Sequence, residues 1–251
     1  MVLSMDRWVD KVAVVTNAGS RIGVAVAEKL IKEGLTVVGF VRKMEQVEQL
    51  TEKLFDKKEN LNPEKIGTCY ALKVDLNNEK DIARAFKWTK RKVGPIHVLV
   101  NNAGVHVREN AVEEGSPTSQ KTLDVNVNSL CVATREAIKI MRSNDIDGHV
   151  VHVNTIVGHR VSISNAKEIY PATMQALAAL TDSLRKELNS LEPQIKISSI
   201  NPGCVDTPPF CLETQKSELL QHLTEENLLE SEDIADAVVY VLSTPAHVQV
   251  N

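Results

Sequence analysis

The residues equipped for chemistry cluster at the ends of short apolar runs. "VAVVT" (12–16) leads into "NAGSRIG", with Gly19 and Gly23 ahead of a helical stripe. Such a loop suits a dinucleotide's pyrophosphate, because glycine allows a tight turn and close backbone approach while the helix N-terminus faces the phosphates. Two glycines alone are a weak signal, and an ordinary strand-to-helix loop explains them as well. "GFVRK" ends the next run with Arg42 and Lys43 and no acid. A basic residue there accommodates a ribose 2′-phosphate where an acid would bind the 2′-hydroxyl, so NADP(H) is favoured over NAD(H). The plain alternative is a solvated pair opening an exposed helix. Other runs end in "VDL" (74–76), "NNAG" (101–104) and "NPG" (201–203), the last followed by "VDT" (205–207). Tyr170 and Pro171 head a helical pattern, where proline suits the first turn, and Met174 follows one turn later.

The elements that position these residues alternate. Strands are expected at 12–16, 36–41, 67–74, 96–100, 149–153 and 195–200. Helical stripes fall at 21–34, 43–58, 79–92, 120–143, 170–190 and 231–243. Asn77 is placed to cap the third helix and Ser231 the last. Near-continuous apolar strands alternating with amphipathic helices predict an α/β fold, a single doubly wound, Rossmann-like parallel sheet with helices on both faces. No linker or repeat interrupts 1–251, which reads as one domain. The chain stops within what reads as a last strand, "HVQVN".

Small or polar motifs at several strand ends are far more specific together than singly. With "MDRWVDKVAVVT", "NVN", "VNTIVGHRV" and "VVYVLSTPAH", they resemble the short-chain dehydrogenase/reductase family over nearly the full length. The resemblance implies a nicotinamide cofactor held by Asn17, Gly19, Arg21, Ile22 and Gly23 in the first loop and by Arg42 at the second strand end. It places Asp75 and Leu76 near the adenine, and Asn101, Ala103 and Gly104 along the adenosine ribose. Pro202, Gly203, Val205 and Thr207 flank the nicotinamide. Asn17 and Arg21 replace two glycines of the pattern. Asparagine tolerates a left-handed backbone. Arg21 is expected either to crowd the pyrophosphate or to turn and neutralise it, and the pteridine reductase branch also carries arginine there.

The same resemblance implies hydride exchange between the nicotinamide and a carbonyl or alcohol carbon. Tyr170 would transfer the proton, Thr155 at the family's serine position would orient the substrate oxygen, and Asn126 would serve the proton relay. The family's lysine, four residues after the tyrosine on the same helix face, is Met174. Methionine neither donates a hydrogen bond to a ribose nor supplies a cation. Alcohol oxidation, which needs a tyrosinate-like base, should suffer most, while carbonyl reduction with a neutral tyrosine persists weakly. The expected activity is NADP(H)-dependent reduction of a small lipophilic carbonyl, or oxidation of the matching alcohol, with weakened catalysis. The alternative is a catalytically impaired homologue, a pseudoenzyme acting as a cofactor-binding or oligomeric partner. An apolar stripe in 211–229 suits a lid over an apolar substrate, and core packing explains it equally. The family's habit implies a homo-oligomer through 120–143 and 170–190.

Composition closes off other classes. A net charge of −4 argues against nucleic-acid and anionic-membrane partners. No stretch reaches the length of a membrane span. Cys69, Cys131, Cys204 and Cys211 lack metal spacing and read as thiols of a cytoplasmic protein. The histidines of "HVVH" (149–152) stand three apart on a strand and so face opposite ways, which excludes a shared metal.

Overall fold

A computed structural model describes residues 3–43, 45–46, 67–102, 104–105, 116–159, 169–206 and 228–250. Its strands are β1 (Val12–Val15), β2 (Thr36–Val41), β3 (Cys69–Lys73), β4 (Ile96–Asn101), β5 (His149–Val153) and β6 (Lys196–Ile200). They form one sheet of six strands in the order β3-β2-β1-β4-β5-β6, with every neighbouring pair parallel. The helices are α1 (Arg21–Lys32), α2 (Glu79–Lys92), α3 (Ser116–Leu123), α4 (Ser129–Ser143), α5 (Tyr170–Leu188) and α6 (Ser231–Ser243).

Side chains alternate along a strand, so β1 feeds two cores. Ala13 and Val15 join Val37, Val100 and Val151 beneath Val26 and Leu30 of α1 and Val238 and Leu242 of α6. Val12 and Val14 join Val38, Phe40, Leu99 and Ile197 beneath Ile82 and Phe86 of α2, Met141 of α4 and Leu188 of α5. This is the expected doubly wound architecture. Phe40 and Phe86 meet edge to face with centroids 5.3 Å apart, a contact worth roughly 1 kcal/mol beyond its burial. The β1–β4 register shifts after Val12, whose amide instead donates to His97 Nδ1 at 3.4 Å.

Four details differ from the sequence expectation. Asn78, not Asn77, caps α2, accepting from the Lys80 and Asp81 amides; Asn77 is drawn to Asp75 Oδ1. Glu230, not Ser231, caps α6, in a reciprocal capping box with Asp233. A π-helical turn, Asp124–Asn128, separates α3 from α4 within the expected single helix. Residues 244–250 form no strand. There the Gln249 side chain donates to Ile197 O at 2.6 Å, so β6 is met by a side chain rather than a ladder. Most of the 43–58 helix and the 211–229 stripe lies outside the described residues. Among the described residues no helix is long and apolar enough to cross a membrane.

Candidate active site

Strand order reverses between β1 and β4, and the crevice outside their carboxyl ends is where such sheets bind ligands. The loop after β1 is built for close approach. Asn17 takes a left-handed φ of 51°, the conformation asparagine tolerates. Ser20 caps α1, accepting from the Gly23 amide at 3.0 Å. Asn102 then stitches this loop to β4. Its amide donates to Thr16 Oγ1, and its Nδ2 reaches Thr16 O, Asn17 O and Ser20 Oγ at 3.4, 3.3 and 3.0 Å. Gly23 lies at the seam, where a Cβ would stand 2.4 Å from Asn17 O and 2.9 Å from Asn102 Nδ2. A Cβ at Gly19 would meet the Gln46 side chain at 2.8 Å. A left-handed turn, an α1 N-terminus at the switch point and a glycine seam fit a nicotinamide dinucleotide, whose phosphates such an N-terminus would hold. Sequence reasoning did not single out Asn102, Ser20 or Thr16; the serine just before a helical stripe was the signal available.

The remaining cofactor candidates divide. Arg42 and Lys43 are exposed at the end of β2, with the Lys43 amide donating to Gln46 Oε1. Arg21 turns sideways to Asp206. Ile22 is partly buried and packs against the core. Asp75 Oδ1 accepts from the Asn77 amide at 3.0 Å, and Leu76 packs towards the α2 core. A Cβ at Gly104 would come no nearer than 3.9 Å, to Asn126 Oδ1, and one at Gly203 would meet nothing within 4 Å. Val205 is buried and pairs with Leu229. Ala103 and Thr207 lie outside the described residues.

The Asn101 side chain is engaged within the protein. Its Nδ2 donates to Thr134 Oγ1 at 2.8 Å, opening a buried network through His152 to Thr181. Thr181 donates to Leu177 O, so it accepts from His152 Nδ1–H, and His152 Nε2 accepts from Thr134. Burial, with Arg185 nearby, holds His152 down to about 3, and it stays neutral. His149 is likewise lowered to about 3, by burial and then by Lys196 and Arg7, and it meets Ser198 Oγ at 3.1 Å. The two histidines thus serve different partners. Burial raises the thiols of Cys69, Cys131 and Cys204, Cys69 to about 12, which suits inert packing.

Three of the catalytic candidates, Tyr170, Met174 and Asn126, lie on or are bonded to the first turns of α5. Tyr170 is its first residue, with Pro171 in the first turn. Asn126 lies fully buried in the π-helical turn, a feature that often marks functional sites. Its Oδ1 accepts from the Val105 amide at 2.8 Å, while its Nδ2 donates to Val105 O and to Thr173 Oγ1, both at 3.0 Å. Thr173 passes its own hydrogen to Tyr170 O at 2.7 Å. Asn126 is therefore joined to the first turn of α5 through Thr173, which the sequence did not single out. Thr155 follows β5, its Oγ1 donating to Pro202 O at 3.5 Å. Beside it, Asn154 Nδ2 donates to Met174 O at 3.2 Å, and Asn154 Oδ1 has no partner among the described residues. Met174 is 4% exposed, in a cluster with Leu130 and Leu177 against which Val127 and Tyr170 pack.

Known proteins resemble this chain over nearly its whole length. The chain is 41% identical to farnesol dehydrogenase of Aedes aegypti over 98% of its length and 96% of the relative's. It is 38% identical to human dehydrogenase/reductase SDR family member 11, covering 98% and 94% of the two chains. A short-chain dehydrogenase/reductase structure from Serratia marcescens superposes with a TM-score of 0.81 at 26% identity, over 96% and 94% of the chains. Residues 11–217 match the family profile for short chain dehydrogenases, and the chain belongs to that family of nicotinamide-dependent oxidoreductases.

Proposed function

We propose that this protein is an NADP(H)-dependent oxidoreductase that reduces a small lipophilic carbonyl, with catalysis weakened at Met174. The observation that carries the proposal is the Asn102 stitch, which fixes the left-handed Asn17 turn and the capped α1 N-terminus at the β1/β4 crevice. The cofactor supplies or accepts the hydride when bound. Asn17, Gly19, Gly23 and the α1 N-terminus hold its phosphates, Arg42 grips the 2′-phosphate, and Gly104, Pro202 and Gly203 line its path. Tyr170 donates the proton to the carbonyl oxygen, Thr155 orients that oxygen, and Asn126 with Thr173 fixes the first turn of α5. An apolar substrate is supported by the farnesol dehydrogenase relative and by exposed Ile156 beside Thr155.

A second reading is favoured by the apolar burial of Met174, which leaves Tyr170 packed on hydrocarbon. In it the protein keeps the cofactor but serves as a partner for copies of itself or for an active relative. Association through α4 and α5 is supported by a groove of about 720 Å³ holding Ile138, Leu180 and Leu184. Among the described residues Cys69, Cys131 and Cys204 are free thiols, which suits the cytoplasm.

Titration with NADPH and NADH, followed by cofactor fluorescence, tests the proposal. NADPH should bind more tightly, and Arg42→Ala should erase the preference. Absence of binding by either at millimolar concentration removes the oxidoreductase. Tyr170→Phe should abolish carbonyl reduction; wild-type turnover in that variant would refute its role.

A further inference from the structure

Arg21 opens α1, and its Nη1 reaches across the crevice mouth to Asp206 O at 3.1 Å and Asp206 Oδ2 at 3.2 Å. Asp206 is held in place by its backbone. Its amide donates to Leu229 O at 2.8 Å, and the Leu229 amide donates to Cys204 O at 2.9 Å. The ion pair therefore ties the loop after β1 to a fixed point after β6. Both side chains are about half exposed, at 54% and 48%.

The pair borders a cleft of about 450 Å³ whose lining includes Gly19, Glu28, Glu230 and Glu232. Among the described lining residues Arg21 is the only base. The cleft thus sets four carboxylates, Glu28, Asp206, Glu230 and Glu232, beside one guanidinium that is already engaged, next to an α1 N-terminus whose amides favour a phosphate. An exposed ion pair holds weakly, whereas a guanidinium on a phosphate makes paired, charge-assisted bonds. These general magnitudes favour exchange from carboxylate to phosphate.

We propose that Arg21 and Asp206 form a phosphate latch, in which Arg21 gives up Asp206 for the pyrophosphate of a bound dinucleotide and Asp206 thereby sets the affinity. The latch rests on the dinucleotide reading above and assigns Asp206 a role as a competitor rather than a ligand.

Calorimetric titration of wild type, Asp206→Asn, Arg21→Gln and the double variant with NADPH, NADH and inorganic pyrophosphate tests it, with thermal midpoints confirming that each variant folds. Asp206→Asn should tighten NADPH and pyrophosphate about 2- to 5-fold, the range of an exposed ion pair. Arg21→Gln should weaken both, and on that background Asp206→Asn should change neither. A gain from Asp206→Asn that survives without Arg21 would mean simple repulsion and overturn the latch, as would weaker or unchanged binding in the single variant. Coupled binding of pyrophosphate without binding of either dinucleotide would remove the proposed function and with it the dinucleotide latch, leaving only an anion site at Arg21. No binding of any of the three would overturn both.

Discussion

Two neutral histidines buried on one strand make the protein sensitive to mild acid. His149 and His152 titrate near 3 in the folded chain, against an ordinary value of 6.5, chiefly because burial disfavours the imidazolium. The folded values lie below the unfolded ones, so between pH 3 and 6.5 only the unfolded chain takes up these protons. Stability is full above the unfolded value and is lost as pH falls beneath it. At pH 5.0 the loss is about 2 kcal/mol for each histidine, or about 4 kcal/mol for both. That is a large part of the 5–15 kcal/mol that typically holds a domain together. His97, half-buried and also lowered, acts in the same direction. Urea unfolding followed by tryptophan fluorescence at pH 7.5, 6.5, 5.5 and 5.0 measures the profile. His152→Gln, whose amide can donate to Thr181 and accept from Thr134, should lower the overall stability but remove about half the slope. A profile flat to within about 0.5 kcal/mol from pH 7.5 to 5.0 would refute the reasoning, since each proton uptake is obligatory at this linkage. So would an undiminished slope in the His149→Gln/His152→Gln variant.

Other perturbations probe the crevice itself. Asn102→Ala removes the side-chain bonds that join the two strand-end loops; it should cost about 1–3 kcal/mol and weaken NADPH at least ~10-fold, read by thermal midpoint and cofactor titration. Gly23→Ala places a methyl against the Asn17 carbonyl, so dinucleotide binding should be lost with a thermal midpoint several degrees lower. Met174→Lys inserts an ammonium into an apolar cluster; stability should fall by about 1–3 kcal/mol while carbonyl reduction accelerates, and a loss of stability with no gain in rate would place the catalytic defect beyond this position.

The fold was legible because its signals are redundant. Runs such as "VAVVT" and "IHVLV" are apolar on both faces since both faces are covered, by α1 and α6 on one side and by α2, α4 and α5 on the other. What failed was local competition between neighbours of the same type. Asn77 and Asn78 are equal as caps on paper, and the pull of Asp75 on Asn77 decides between them. Asn101 and Asn102 look alike in "NNAG", and only the structure separates their side chains, Asn101 bonded to Thr134 and Asn102 to the loop after β1. The His152 network was invisible because its members come from β4, α4, β5 and α5, far apart in sequence.

The catalytic helix shows the same division between what a position implies and what surrounds it. That Met174 takes the place of a lysine is what the family resemblance implies; what surrounds Met174 could not be read from the sequence. Met174 adds to the apolar support that Leu130 and Leu177 give Tyr170, and its backbone carbonyl receives Asn154. Separately, the Asn126–Thr173 link ties the π-helical turn to the Tyr170 carbonyl without any charge. The first turn of α5 is thus held by hydrogen bonds and hydrocarbon on independent routes. A lysine at position 174 would add a charge beside contacts that already hold this turn, so Met174→Lys is expected to change rate rather than rebuild the site.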